Sequence, residues 1–135
     1  YLPLVAGRIQ NRPGDLDRVT VEAAFAAMAA LEQPLQTTLL DFLRFHPKVR
    51  ICGSADAGPD RVPTISFVHR SRSSREIAQA ANEHGLGIRF GHFYAHRLAA
   101  ALGLDPDDGV VRISLVHYNS IDEIERLMAF LDSVL

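Results

Sequence analysis

The sequence has little of four things, and each shortage excludes a class of protein. Cys52 is the only cysteine in 135 residues. No disulfide can form within the chain, which fits a reducing, cytoplasmic setting. Charge is nearly balanced, with 14 Lys and Arg against 16 Asp and Glu and a formal net charge of -2. That leaves no basic field for a nucleic-acid backbone, so no nucleic-acid partner is expected. No apolar run reaches the ~18 residues of a membrane span, so no membrane partner is expected either. Lys48 is the only lysine against 13 arginines, which restricts any chemistry that runs through a lysine amine. Internal repeats, low-complexity tracts, nucleophile elbows and paired-carboxylate hydrolase sites are also missing. Gly85-Leu86-Gly87 is too short, and lies in the wrong context, for a dinucleotide fingerprint. The first residue is Tyr1 instead of Met, so the reading expects a fragment or a processed chain.

What remains is enough for one domain. With 47% hydrophobic residues, a chain of this length can bury roughly 68% of its unfolded surface around a single core. Residues 1–19 carry Pro3, Gly7, Pro13 and Gly14 with no sustained period, and read as an arm or connecting segment. From Thr20, a candidate N-cap, the composition turns alanine-rich, and Phe25, Met28, Ala29 and Leu31 mark one face of a helix. Pro34 is expected to kink that helix or to open a second one, since Leu35, Leu39, Phe42 and Leu43 continue the spacing to about Phe45.

Short strands and helices then alternate. Val49–Cys52 and Thr64–Val68 read as strands. Ser73 with Glu76 forms a capping box that opens a helix running toward Gly85. Gly87–Phe90 is a short strand, Ala95–Leu102 a short helix, and Val110–His117 the strongest strand. A second capping box, Ser120 with Glu123, starts a last helix with Ile121, Ile124, Leu127, Met128, Leu131 and Val134 on one face. The fold class is α/β in the two-layer (α+β) sense: a small, mostly antiparallel sheet covered by helices.

Strand alternation puts Val111, Ile113 and Leu115 on the core face of the strongest strand and Arg112 on the other face. Arg89 alternates with Ile88 and Phe90 in the same way. If the two strands are neighbours in register, both guanidiniums project from the non-core face, amid valines and glycines. Such a pair suits a carboxylate or phosphate, whose two oxygens match the planar fork; equally, each arginine could simply solvate an outer face. In Gly91-His92-Phe93-Tyr94-Ala95-His96 two histidines and two aromatics crowd a strand-to-helix junction. His92 and His96 are four apart, as in some zinc sites, but no third ligand is placed, and capping or lining a polar site is the preferred reading over a zinc hydrolase. Cys52 reads as an inert packed thiol. His46, His69 and His84 are expected at the surface, and His117 partly buried.

The segments Gly87-Ile88-Arg89-Phe90-Gly91-His92-Phe93-Tyr94-Ala95 and Val111-Arg112-Ile113-Ser114-Leu115-Val116-His117-Tyr118-Asn119-Ser120 together resemble the end of a class V aminotransferase. These are fold-type I pyridoxal-phosphate proteins, the group that includes cysteine desulfurases and selenocysteine lyases. The resemblance runs from about Leu31 to Leu135. It implies that Arg112 grips the α-carboxylate of an amino-acid substrate, with Arg89 and His92 on the active-site loop beside it. Asn119 orders the turn before the last helix.

The pattern departs from the desulfurases at Tyr94, which stands where they carry the cysteine that takes up sulfur. A phenol of reference pKa about 10 has no sulfur chemistry and is a poor nucleophile near neutrality, so a persulfide-forming desulfurase is not expected; Tyr94 lines the pocket or packs. Pyridoxal 5'-phosphate chemistry needs a Schiff-base lysine, and the context of Lys48 does not match the family's cofactor lysine. The resemblance therefore implies that residues 20–135 are the C-terminal small domain of an amino-acid transferase or lyase. The large domain of the same protein would then hold the cofactor, with no catalytic residue in this segment. A homodimer is the common state of family members. The chain alone is expected to be inactive and to bind no pyridoxal phosphate. The competing reading is a non-enzymatic α/β module in which Arg89 and Arg112 capture an acidic metabolite or a partner protein.

Overall fold

A computed structural model describes residues 17–58 and 61–135. Eight elements follow in order: α1 (Arg18–Phe45), β1 (Val49–Cys52), β2 (Thr64–His69), α2 (Ser74–Glu83), β3 (Arg89–Gly91), α3 (His96–Ala101), β4 (Val110–Ser114) and α4 (Ile121–Val134). The two-layer α/β architecture agrees with the sequence reading, and the differences are local. Residues 1–16 of the expected arm lie outside the described residues, but Arg18 and Val19 already belong to α1. The N-cap is Asp17, not Thr20: its Oδ1 accepts a hydrogen bond of 2.7 Å from the Thr20 backbone N–H.

Pro34 neither ends nor divides α1, which runs unbroken over 28 residues. An interior proline costs about 3 kcal/mol because it removes one hydrogen bond and crowds the preceding turn. Leu35, Leu39, Leu40 and Leu43 follow it, all buried against the sheet, and at roughly 1.5–3 kcal/mol each their burial outweighs that cost. Pro34 itself is exposed, and the hydroxyls of Thr37 and Thr38 donate to the carbonyls of Gln33 and Pro34 at 2.9 and 3.0 Å. The inward face of the first half was misread. Ala24 and Met28 are buried, whereas Phe25 and Leu31 are 56% exposed and Ala29 is exposed. Six alanines between Ala23 and Ala30 leave the helical period without contrast there.

The four strands form one antiparallel sheet in the order β1-β2-β4-β3. Ile65 and Phe67 of β2 and Val111 and Ile113 of β4 point to the core face. They meet Leu39, Leu40 and Leu43 of α1, Ile77 and Ala81 of α2, and Ile124, Leu127 and Leu131 of α4. Both capping boxes form as expected: Ser73 with Glu76 on α2 and Ser120 with Glu123 on α4. The Ser120 backbone N–H, donated to the Glu123 carboxylate, holds that carboxyl below its ordinary range.

β4 ends at Ser114, earlier than the expected His117. Leu115 still donates its N–H to the Pro63 carbonyl at 2.9 Å, but Asn119 then turns the chain. Its Oδ1 accepts from the Val116 N–H at 2.9 Å, and its own N–H donates to the Val116 carbonyl at 2.9 Å. His117 falls in that turn, partly buried, with Nδ1 3.8 Å from Glu32 Oε1. Among the described residues no helix is long and apolar enough to cross a membrane.

Of the histidines expected at the surface, His84 is exposed, with Nδ1 2.9 Å from the Ala80 carbonyl oxygen, but His69 is buried at 8% exposure. Strand alternation puts His69 on the core face with Ile65 and Phe67, and its Nδ1 accepts the backbone N–H groups of Ser71 and Arg72 at 3.3 and 3.0 Å. That acceptor role requires a neutral ring. Burial lowers the His69 pKa below the ordinary histidine value, opposed by a hydrogen bond at Leu135 and reinforced by Lys48, His46 and Arg72. The folded-state pKa lies below the unfolded one, so the contribution is fully present above the unfolded value of about 6.5 and is lost as pH falls through the folded one. Urea unfolding at pH 7.5 and 5.0 is therefore expected to show a larger acid-side loss for the unsubstituted chain than for His69→Gln; equal losses would contradict this.

Candidate functional site

The sheet register builds the site. Cys52 faces Ser66 across β1 and β2, Ser66 faces Arg112 across β2 and β4, and Arg112 faces Arg89 across β4 and β3. Side chains alternate across a pleat, so these four residues form one row on the face opposite the core. The register supplies the neighbour relation that the sequence reading left conditional. Like charges directly opposite each other destabilise a sheet, so an Arg89–Arg112 pair has no stabilising value of its own. The two arginines also differ in setting. Arg112 is half-buried, while Arg89 is exposed and lines a separate opening of about 740 Å³ between β3 and α2.

Arg112 heads a cleft of about 380 Å³ whose walls include Cys52, Ser66, His92, Phe93, Leu98 and Val110. The loop between β3 and α3 forms one side of it. Phe93 and Tyr94 take φ of +48° and +63°, a left-handed conformation that costs roughly 1–2 kcal/mol per non-glycine residue. The Ala95 N–H closes this turn by donating to the His92 carbonyl at 2.7 Å. One result is that the Phe93 ring lies under Arg112, with the guanidinium carbon 3.8 Å from the ring centroid. The other is that Tyr94 points fully into solvent. His92 lines the cleft with its Nδ1 buried and unpaired, and its ring meets that of His96 edge-on at 5.7 Å between centroids. Among the described residues no three His, Cys, Asp or Glu side chains stand together as a metal-binding group.

The cleft's other wall depends on two residues that sequence reading passed over. Asp108 accepts the backbone N–H groups of Ser74 at 2.6 Å and Arg75 at 3.0 Å, tying the start of β4 to the N-terminus of α2. Gly109, at φ +66°, lies directly on Gly91, and a Cβ there would overlap the Gly91 carbonyl. The Asp-Gly dipeptide just before a strong strand was a signal for a tight turn. The Gly91–Gly109 approach, 18 residues apart in sequence, had none. Phe93 was also missed, since an aromatic next to a strand reads as packing until the register shows what it faces.

Cys52 lines the cleft instead of packing in the core, but burial raises its thiol pKa, partly opposed by Arg50. That setting keeps the thiol protonated and slow. Lys48 is exposed in the turn before β1, four residues from Cys52. At about 3.3 Å per residue that is roughly 13 Å along the strand from the row of arginines.

A half-buried arginine backed by an aromatic ring thus stands on the open face of a small sheet, opposite the face that packs on the core. The Aminotransferase class-V family profile matches residues 16–127, and the chain belongs to that family. It is 43% identical over 113 residues to the aminotransferase-like protein FGM3 of Gibberella zeae, covering 81% of this chain and 28% of that protein. It is 35% identical over 103 residues to a cysteine desulfurase of Synechococcus elongatus, covering 76% and 16% respectively. In solved structures the fold superposes on the apo cysteine desulfurase of Thermococcus onnurineus NA1 with a TM-score of 0.69 and 23% identity, covering 87% of this chain and 28% of that one. The cysteine desulfurase CsdA of Escherichia coli gives 0.66 and 20%, covering 91% and 32%. The chain thus spans between a sixth and a third of the relatives cited here. The family depends on pyridoxal phosphate. Among the described residues the cleft contains no lysine, so these residues do not by themselves make a holder for that group.

Proposed function

We propose that this chain is the C-terminal small domain of a pyridoxal-phosphate enzyme acting on an amino acid, and that Arg112 binds the substrate's α-carboxylate. The observation that carries this reading is Arg112 itself. It is a half-buried guanidinium held over an aromatic ring at the head of a cleft, with no carboxylate paired to it among the described residues. A fixed fork of two N–H donors in a partly dry site suits the two oxygens of a carboxylate. His92 lines the same cleft, where its ring places a polar side chain beside the arginine. Arg89 adds positive potential beside the site without lining it, which favours entry of an anion.

Pyridoxal phosphate, when bound, supplies the electron sink for bonds at the substrate's α-carbon. The lysine and the phosphate cradle that hold it belong, on this reading, to a large domain of the same protein. The small domain covers that site, and the parent works as a cytoplasmic homodimer. Tyr94 excludes persulfide chemistry at the loop, because a phenol oxygen cannot accept sulfur as a thiolate does. Cys52, with its raised pKa, does not replace it.

The test separates cofactor holding from folding. The full protein and the 135-residue chain are each mixed with pyridoxal phosphate and gel-filtered, and the retained cofactor is read by its absorbance. The full protein is expected to retain about one equivalent and the chain alone none. Stoichiometric retention by the chain alone, or none by the full protein, would overturn the reading.

A further inference from the structure

We propose that Phe93 is the positioning residue for Arg112: its ring fixes the guanidinium so that the N–H edge faces the cleft. This rests on the reading of Arg112 as the carboxylate ligand and adds a residue to it. Three observations converge on Phe93. The guanidinium carbon stands 3.8 Å from the ring centroid, the separation of a flat stack, in which the ring occupies one face of the cation and leaves the donor edge free. Phe93 and Tyr94 are the only non-glycine residues with positive φ among the described residues, so the backbone bears a cost that brings the ring beneath the cation and turns Tyr94 outward. Phe93 and Arg112 line the same cleft, whereas Arg89, opposite Arg112 across the strand pair, lines a separate opening. The ring therefore meets the guanidinium on the side where a ligand would enter.

Holding the fork before the ligand arrives removes ordering cost from binding. The effect should reach a carboxylate and leave a neutral isostere untouched. The experiment measures the affinities of the full protein for L-alanine and L-alaninamide, and takes their ratio as the carboxylate preference. Phe93→Leu is expected to lower that preference about three- to tenfold and to leave amide affinity unchanged. Phe93→Tyr, which keeps the ring face, should retain the preference within about twofold. Leucine and tyrosine meet the same backbone strain as phenylalanine, so the two variants differ at the ring alone. A readout that needs no variant accompanies this. In 15N-arginine-labelled protein the Arg112 Nε–Hε proton is expected to be shifted upfield by the ring.

A Phe93→Leu protein that keeps its preference, one that loses amide affinity equally, or an unshifted Arg112 resonance would each overturn the positioning role. A preference that survives Arg112→Ala, or that is missing from the unsubstituted protein, would instead overturn the carboxylate reading itself.

Discussion

Arg112→Ala in the full protein is expected to lower kcat/KM for its amino-acid substrate by about thirty- to a thousandfold, or about 2–4 kcal/mol. Removing one partner of a desolvated, hydrogen-bonded charge pair leaves the other charge facing a dry wall, and that penalty dominates the loss. The cleft supplies the dryness here. Arg112 is half-buried, one face lies on the Phe93 ring, and Leu98 and Val110 line the same cleft. Arg112→Lys should recover little of the loss, since an ammonium offers a point charge where the site offers geometry for a planar fork. Steady-state kinetics of the three proteins on the same substrate check this. A kcat/KM within a few-fold of the unsubstituted value in Arg112→Ala would remove the arginine from the binding site.

The second large effect concerns stability. Gly109→Ala is expected to destabilise the domain by about 3 kcal/mol. Two costs add: a left-handed φ for a residue with a Cβ, roughly 1 kcal/mol, and overlap with the Gly91 backbone, roughly 2 kcal/mol. The overlap is with backbone, not with the end of a mobile side chain, so β3 must move away from the start of β4 to relieve it. That movement would also pull the loop carrying Phe93 off Arg112. Gly85→Ala is the internal comparison: Gly85 has φ +70° but open space at its Cβ position, so only the strain cost of about 1 kcal/mol should appear. Urea unfolding of the two variants measures the difference. Equal losses at the two sites would show that the Gly91–Gly109 contact is not tight.

The sequence made the periodic parts of this fold legible. Val111, Ile113 and Leu115 alternate cleanly with Arg112 because β4 is buried on one face alone, and all three are core residues. Ser73 with Glu76 and Ser120 with Glu123 marked helix starts through a local exchange of hydrogen bonds, which distant residues do not alter. Pro34 does not open a second helix, because the leucines that follow it are buried in the core on the same continuous helix; that outcome depends on tertiary packing. His69 differs: the alternation of β2 already places it on the face of Ile65 and Phe67, and two backbone donors of the next turn satisfy its ring there.

The site divides along the same line. Arg112 and Arg89 could be placed on one face from strand alternation, but their pairing depended on a register that the sequence could state only as a condition. Phe93 was invisible because its role comes from two consecutive left-handed residues, and neither Phe nor Tyr advertises that conformation. Tyr94 marks the limit of reading by resemblance. The resemblance led to an expectation that it lines the pocket or packs, yet its side chain points to solvent, and the aromatic that meets Arg112 is its neighbour.

The most direct test of the central claim is a crystal structure of the full protein with an amino acid bound. The claim requires the ligand's two carboxylate oxygens to lie about 2.7–2.9 Å from guanidinium nitrogens of Arg112, with the guanidinium still stacked on Phe93. A carboxylate held by other residues, with Arg112 turned to solvent or paired within the protein, would contradict it.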